Sequence, residues 1–301
     1  MSTVVPAPAD VQAEFHLRGR SVPGWRWWRP ITSIIMAVAG SVLVLDEIPV
    51  LAYRLIGPSG GLPVLGPLTD IVVRLISIAL VLPVVVIVTR LIGRRPATSV
   101  LSATGRPRWR LIGISLLIAT PVPAAVLMLV IFGTVITAAQ QGTLGSVPLM
   151  ALAAALTLIV ALIPLQALSE EALHRGLILQ AASEYSRGPW PGIAVQATVF
   201  AALHGPGGSI AGYLNLAGYA VILGWLAVST GGIEAGLVLH TTVNTMGIVA
   251  LCLQIVVLGT NLDAAGATSA DTGWQQPAME LPLILGYALL VRWIWRRLTR
   301  R

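Results

Sequence analysis

Long apolar stretches alternate with short polar connections along almost the whole chain. A helix needs about 20 residues to cross a hydrocarbon core of about 30 Å, and by that measure the pattern predicts eight spans. We expect Pro164 to kink the long fourth span, because proline removes a helical hydrogen-bond donor. The predicted spans are 31–56, 68–92, 111–138, 148–183, 191–205, 211–229, 231–257 and 280–297. The sequence therefore predicts an all-α, polytopic membrane bundle, with a tail at 1–30 and a single transmembrane domain at 31–301.

Composition agrees with a membrane protein. The chain is 56% hydrophobic and only 10% charged, with a mean hydropathy of +0.85, which excludes an ordinary soluble domain. Its formal charge of +7 comes from arginine, since the sequence contains no lysine. The arginines are concentrated in the N-terminal tail, the second and fourth connections and the C-terminus. By the positive-inside rule this alternation predicts that both termini are cytoplasmic, and it explains the basic charge without nucleic-acid binding or a lipid site.

Polar side chains interrupt three of the later apolar spans in a regular way. They occur in the fragments EEALHR (170–175), FAALH (200–204) and HTTVN (240–244). At 1.5 Å per residue, Glu170, His204 and His240 lie about 18, 17 and 14 Å from the predicted cytoplasmic ends of their helices. Ionisable groups at such depth are costly and usually functional, so the three motifs predict one polar site within the bilayer.

The spacing of four residues within each motif places side chains on one helix face. Arg175 is expected to keep Glu171 ionised, since an unpaired buried charge is very costly. A carboxylate with two imidazoles can activate a water directly or hold a metal that does so. Asn244, one turn from His240, can donate to a developing oxyanion.

These motifs resemble those of the CPBP intramembrane protease family, which includes the CAAX prenyl endopeptidase and bacterial Abi-type members. The family pattern EExxxR, FxxxH and HxxxN occurs here in order, and the resemblance covers about 149–257. It implies Glu170 as the water-activating base with His204 assisting, and His240 with Asn244 as the oxyanion site. It also implies an eight-helix bundle with a cavity open towards the cytoplasm.

A glutamate-activated water needs no cofactor. Zinc or another divalent metal is the open alternative, with Glu170, His204 and His240 as candidate ligands, although the H-E-x-x-H helix of soluble metalloproteases is absent from the sequence.

The sequence thus predicts a bacterial-type endopeptidase of the cell membrane that cleaves a peptide or membrane-protein substrate near the cytoplasmic side. A non-proteolytic scaffold or bacteriocin-immunity type protein built on the same bundle is the alternative. An ion-coupled transporter is a third reading, and a purely structural polar network is the simplest competitor for the motifs themselves.

Other charged residues within or beside the predicted spans carry separate expectations. We expect Asp46, Glu47 and Arg74 to form an interhelical ion pair, with a gate or a substrate-contacting polar patch as the alternative. His174, one turn from Glu170, is expected to be a neighbour that tunes the site. Glu234 is expected either at the mouth of the cavity or as an anion at the N-terminus of its helix.

Overall fold

The computed structural model describes residues 15–20, 22, 24–56, 65, 68–143, 149–186, 188–204, 208–259 and 273–300. These residues form helices and connections, with a single isolated bridge between Ser102 and Gly232 in place of any sheet. The predicted all-α class is confirmed. The helices are α1 Trp28–Ile56, α2 Thr69–Ala79, α3 Val81–Leu91, α4 Trp109–Ala119, α5 Pro121–Gln141, α6 Leu149–Glu171, α7 Leu179–Ser183, α8 Trp190–Ala202, α9 Ile210–Thr230, α10 Glu234–Leu258 and α11 Gln275–Thr299.

Within the described ranges, 7 helical stretches are long and apolar enough to cross a membrane. The chain is therefore an integral, multi-pass membrane protein. The predicted fifth span is the exception, because α8 has only 13 residues and reaches about 20 Å. The predicted third span divides at Pro121, where α4 ends and α5 begins.

Helix α6 runs through the middle of the packing. Its residues Leu152, Ile159 and Ile163 form one buried cluster with α2 and α10. A second cluster joins α4, α9, α10 and α11 around Leu223 and Tyr287. Large apolar side chains on α1 and α5, such as Leu129 and Phe132, are exposed instead, as expected of surfaces that face lipid.

A π-helical segment follows α6 directly, at Ala172–Ile178. All seven of its residues are buried, and the amide of Leu179 donates to the carbonyl of His174, the five-residue step that defines this helix type. Pro164, where we predicted a kink, lies inside the unbroken α6. The change of helix geometry comes later in the chain, directly after the two glutamates.

Polar contacts tie several connections together at one end of the bundle. The Arg20 guanidinium donates to the carbonyl of Glu184 at 2.5 Å, which fastens the N-terminal segment beyond α7. Arg108 pairs with Glu234 at the start of α10 and lies over the ring of Trp295 in the last helix. The N-terminal segment and the C-terminal helix therefore both lie at the end of the bundle that holds the second connection.

Glu234 lies in the first turn of α10, which is one of its two expected positions. Its carboxylate is buried, and both oxygens accept hydrogen bonds from Arg108, at 2.8 Å from Nε and 2.5 Å from Nη2. This ion pair joins the second connection to α10.

The expected ion pair among Asp46, Glu47 and Arg74 is wrong. All three side chains are exposed, and the ion pairs of the described residues include none between them. Helix α1 has 29 residues, about 43 Å, so Asp46 lies about 27 Å beyond Trp28 and can reach the far headgroup region. Its charge needs no partner helix there.

Gly176 permits the closest approach between the π-helical segment and the second connection. A Cβ at this position would lie 2.4 Å from the carbonyl oxygen of Val100, a backbone atom that cannot rotate away. We expect Gly176→Ala to destabilise the protein by about 1–3 kcal/mol through overpacking, measured by thermal unfolding in detergent.

Gly133→Ala is the matched control, because a Cβ there meets nothing within 4 Å on exposed α5. An equal unfolding temperature for the two variants would contradict the close packing of this segment.

Candidate active site

The carboxylate of Glu171 lies at the centre of the polar cluster. Its side chain is 0% exposed, and Oε1 lies 2.9 Å from His240 Nδ1 and 3.3 Å from Arg175 Nη1. The arginine is on the π-helical segment, whereas the histidine is on α10. One buried carboxylate therefore joins two elements and has two cationic or donor neighbours, which offsets the cost of burying it.

The predicted pairing of Glu171 with Arg175 is present, and two aromatic rings also contact the arginine. The Arg175 guanidinium, also 0% exposed, lies 4.6 Å from the ring centre of Phe200 and 5.7 Å from that of Tyr219. It makes no hydrogen bond among the described residues. Cation–π attraction thus supplements the ion contact where water is excluded.

His240 lies between the two adjacent glutamates. Its Nε2 is 3.2 Å from Oε2 of Glu170, while its Nδ1 faces Glu171. The two carboxylates differ in access, because the Glu170 side chain is 17% exposed and Glu171 is sealed. Of the pair, Glu170 is therefore the group that a water molecule can reach.

His204 is oriented by its own helix turn. Its Nδ1 lies 2.7 Å from the carbonyl oxygen of Phe200, and its ring lies against the Phe200 ring at 4.5 Å. A carbonyl can only accept, so Nδ1 carries the proton and Nε2 of the neutral ring keeps its lone pair. The ring lies within electrostatic range of Glu170. It is placed to accept a proton near that carboxyl group.

His174 is arranged in the same way but is more deeply enclosed. Its Nδ1 lies 2.8 Å from the carbonyl oxygen of Glu170, and its ring meets Phe200 edge-on at 5.0 Å. The side chain is 3% exposed, and Nε2 has no hydrogen-bond partner among the described residues. As expected, it is a close neighbour of the first glutamate.

Asn244 lies on α10 and contacts α6 one helical turn before Glu170. Its Nδ2 donates to Oε1 of Gln166 at 2.9 Å. One amide hydrogen is used by this contact, and the second remains for another acceptor. Gln166 holds the amide plane in a fixed orientation.

The predicted site residues therefore do not form one contact cluster. Glu170, Glu171, Arg175 and His240 touch in a chain, while His204 and Asn244 lie beside it with their own partners. Sequence reasoning missed Gln166 and Tyr219. Gln166 had a signal, because it precedes Glu170 by four residues; Tyr219, whose ring meets His240 at 5.7 Å, had none beyond its aromatic type.

The candidate metal ligands do not converge. In the part of the chain that the structure describes, no group of three His, Cys, Asp or Glu side chains is arranged to hold an ion. Glu170 and His240 contact each other, and His204 donates from Nδ1 to a carbonyl, which by itself leaves its Nε2 able to ligate. It is the placement of the three side chains that speaks against a shared ion. The residues present do not fit a zinc centre with three protein ligands.

Comparison with known families places this geometry in context. Residues 150–246 match the family model described as Rce1-like, type II CAAX prenyl endopeptidase. The matched segment begins in α6 and ends in α10, so it contains all three motifs. Searches among curated proteins and solved structures gave no match.

Breaking the buried ion contact tests how much the fold depends on it. Arg175→Met would remove the ionic partner of Glu171 and leave it in contact with His240. We expect the unfolding free energy to fall by about 3–5 kcal/mol. Denaturant titration in detergent measures this loss. Arg110→Gln, an exposed arginine near the start of α4, is the control for lost charge.

The double variant Glu171→Gln/Arg175→Met should be less destabilised than the sum of its single changes, because it leaves no unpaired buried charge. Strict additivity would show that the two groups do not interact.

Proposed function

We propose that this chain, whose core belongs to the CPBP/CAAX protease family, hydrolyses a peptide bond within the membrane by means of a water activated by Glu170. The family match itself supports an intramembrane CAAX-type endopeptidase. The observation that carries the mechanism is the contrast between the two glutamates: Glu170 is partly accessible and faces His240 Nε2, whereas Glu171 is fully enclosed.

Glu170 takes the proton of the attacking water, and the water oxygen forms a bond to the carbonyl carbon of the substrate. His204, whose Nε2 keeps its lone pair when Nδ1 donates to Phe200, assists that transfer. The proton held by Glu170 then passes to the leaving amine as the peptide bond breaks. The net reaction consumes one water and produces a carboxylic acid and an amine.

The negative charge of the intermediate needs donors on the opposite side of the carbonyl. His240 donates from Nε2, the atom that contacts Glu170 in the substrate-free chain, while its Nδ1 stays bound to Glu171. Asn244 supplies the amide hydrogen not used by Gln166. Both donors are fixed by a neighbouring side chain, which favours electrostatic stabilisation without reorganisation.

The substrate in this proposal is a peptide or a membrane-held protein segment that enters from the cytoplasmic half of a bacterial cell membrane. The distribution of arginines supports this orientation, because the end of the bundle that carries the arginine-rich connection also carries the starts of α8 and α10. A partly exposed Glu170 within an apolar bundle suits hydrolysis of a bond that is already shielded from bulk water.

Glu170→Gln tests the mechanism most directly. The amide keeps the size of the side chain but cannot take a proton, so we expect kcat to fall at least about 100-fold without a change in unfolding temperature. Turnover is measured in proteoliposomes with a fluorogenic peptide ending in a farnesylated CAAX sequence, in parallel with the same peptide lacking the farnesyl group.

Glu47→Gln, an exposed carboxylate on α1, should retain wild-type turnover. Wild-type turnover by the Glu170 variant would eliminate the proposed base. A protein that never cleaves either peptide, in any variant, would favour the scaffold alternative.

Chelation provides a separate test of the chemistry. Since Glu170, His204 and His240 do not converge as metal ligands, we expect turnover to survive treatment with 1,10-phenanthroline. Activity that is lost with the chelator and restored by stoichiometric zinc would contradict the direct glutamate mechanism.

A further inference from the structure

A cationic cleft lies outside the candidate active site, between the N-terminal segment and the second connection. Its volume is about 360 Å³. Its charged and hydroxyl-bearing walls include Arg18, Arg94, Arg95, Thr98, Ser99 and Thr104, and none of its lining residues is acidic. We refer to it as the arginine cleft.

Arg95 contributes a buried positive charge to the arginine cleft. Arg95 is buried, and its guanidinium donates to the neutral amide of Gln180 rather than to a carboxylate. The pKa of Arg95 is lowered to about 10, chiefly by burial; Glu184 acts in the opposite direction, and Arg18 adds a smaller lowering. Two guanidiniums therefore repel each other across the cleft.

Glu184 is a weak counter-charge for this cleft. Its carboxylate already accepts a hydrogen bond from the indole of Trp25 at 2.7 Å. Burial raises the pKa of Glu184, against the effects of Trp25 and the nearby arginines. Glu184 therefore offsets the charge of Arg95 only in part, because burial disfavours its ionised form.

The backbone of the cleft is shaped at some conformational cost. Arg94 is the one described residue other than glycine with a positive φ, at 51°, a conformation that side chains with a Cβ rarely adopt. Elsewhere in the lining, the buried hydroxyl of Ser99 has no hydrogen-bond partner among the described residues. Strained backbone and an unused polar atom in one cleft are features of binding sites.

The position of the cleft matches the headgroup region of a membrane. Arg94 lies three residues beyond the end of α3, at Leu91, and Trp27 and Trp28 at the start of α1 are 64% and 45% exposed. Exposed tryptophans beside arginines are typical of the interface between lipid and water.

We propose that the arginine cleft binds a phosphate group, either the headgroup of an anionic lipid or a soluble phosphate. Guanidinium forks and hydroxyls are the donors that phosphate oxygens prefer. The volume is larger than a phosphate requires, which leaves room for a glycerol or similar substituent. The proposal does not depend on the protease assignment.

The second connection, which forms a wall of the cleft, also touches the elements of the candidate active site. The amide of Gln180 on α7 donates to the carbonyl of Ser99 at 3.0 Å. The amide of Ile233, beside α10, donates to the carbonyl of Leu101 at 2.9 Å. The second connection therefore contacts elements on both sides of the glutamate cluster. A phosphate bound to the folded protein should raise its unfolding temperature.

The experiment measures retention of lipid and thermal stability on the full chain. Purified protein is incubated with phosphatidylglycerol in phosphatidylcholine vesicles, and in a separate arm with inorganic phosphate in detergent. Bound lipid is counted by native mass spectrometry, and unfolding is followed by tryptophan fluorescence. We expect Arg18→Gln and Arg94→Gln each to weaken binding about tenfold, because each removes one charge-assisted contact.

Arg110→Gln is the matched control, since it removes the same charge from an exposed position at the start of α4, outside the lining of the cleft. It should retain wild-type binding. Retention of phosphatidylglycerol that inorganic phosphate does not displace identifies a lipid headgroup, and saturable stabilisation by phosphate alone identifies a soluble ligand.

Equal losses in Arg94→Gln and Arg110→Gln would overturn the proposal in favour of nonspecific charge attraction. Absence of saturable binding in both arms would overturn it as well.

Discussion

The arrangement of the site depends on one buried carboxylate, that of Glu171. It is fully enclosed, and within a few ångströms of one oxygen it meets both the guanidinium of Arg175 and the imidazole of His240. In an apolar bundle such a charge is tolerated only with partners, so the carboxylate dictates where the π-helical segment and α10 lie relative to α6. The same contact fixes the ring of His240, and thereby aims its Nε2 at Glu170.

Close backbone packing gives this ionic contact a rigid frame. Gly236 lies opposite the carboxylate, where a Cβ would come within 2.9 Å of Glu171 Oε2. Gly176 admits the second connection against the π-helical segment, and Arg108 joins that connection to Glu234. The polar cluster is thus held from α10, from the π-helical segment and from the second connection.

Much of the fold follows from the apolar pattern, because in a membrane the requirement to satisfy every backbone group leaves helices as the simplest solution. The predicted fifth span, 191–205, was already shorter than the about 20 residues that a crossing needs, and α8 with 13 residues is shorter still. The ion pair expected for Asp46, Glu47 and Arg74 failed for a related reason. The sequence marks a charge within an apolar run, but the length of α1 decides whether that charge can reach a headgroup.

The sequence predicted most residues of the candidate site, but only some of the contacts between them. Helical spacing brings Arg175 to Glu171, a contact within one segment of chain. The contact of His240 with both glutamates joins residues 69 or more positions apart, and no local period encodes it. Gln166 and Tyr219 were missed because an amide and a phenol ring are common in helices without any function.

The adjacent glutamates illustrate why residue type alone does not define a catalytic role. Both carboxylates contact the same imidazole, yet one faces space that is partly accessible and the other faces an arginine and a glycine. A base must exchange its proton with water and substrate, whereas an anchor must keep its charge and position throughout. The enclosed Glu171 can act as the anchor, because it keeps its charge and its contact with His240. Glu170, which is partly accessible, is the carboxylate that can act as the base.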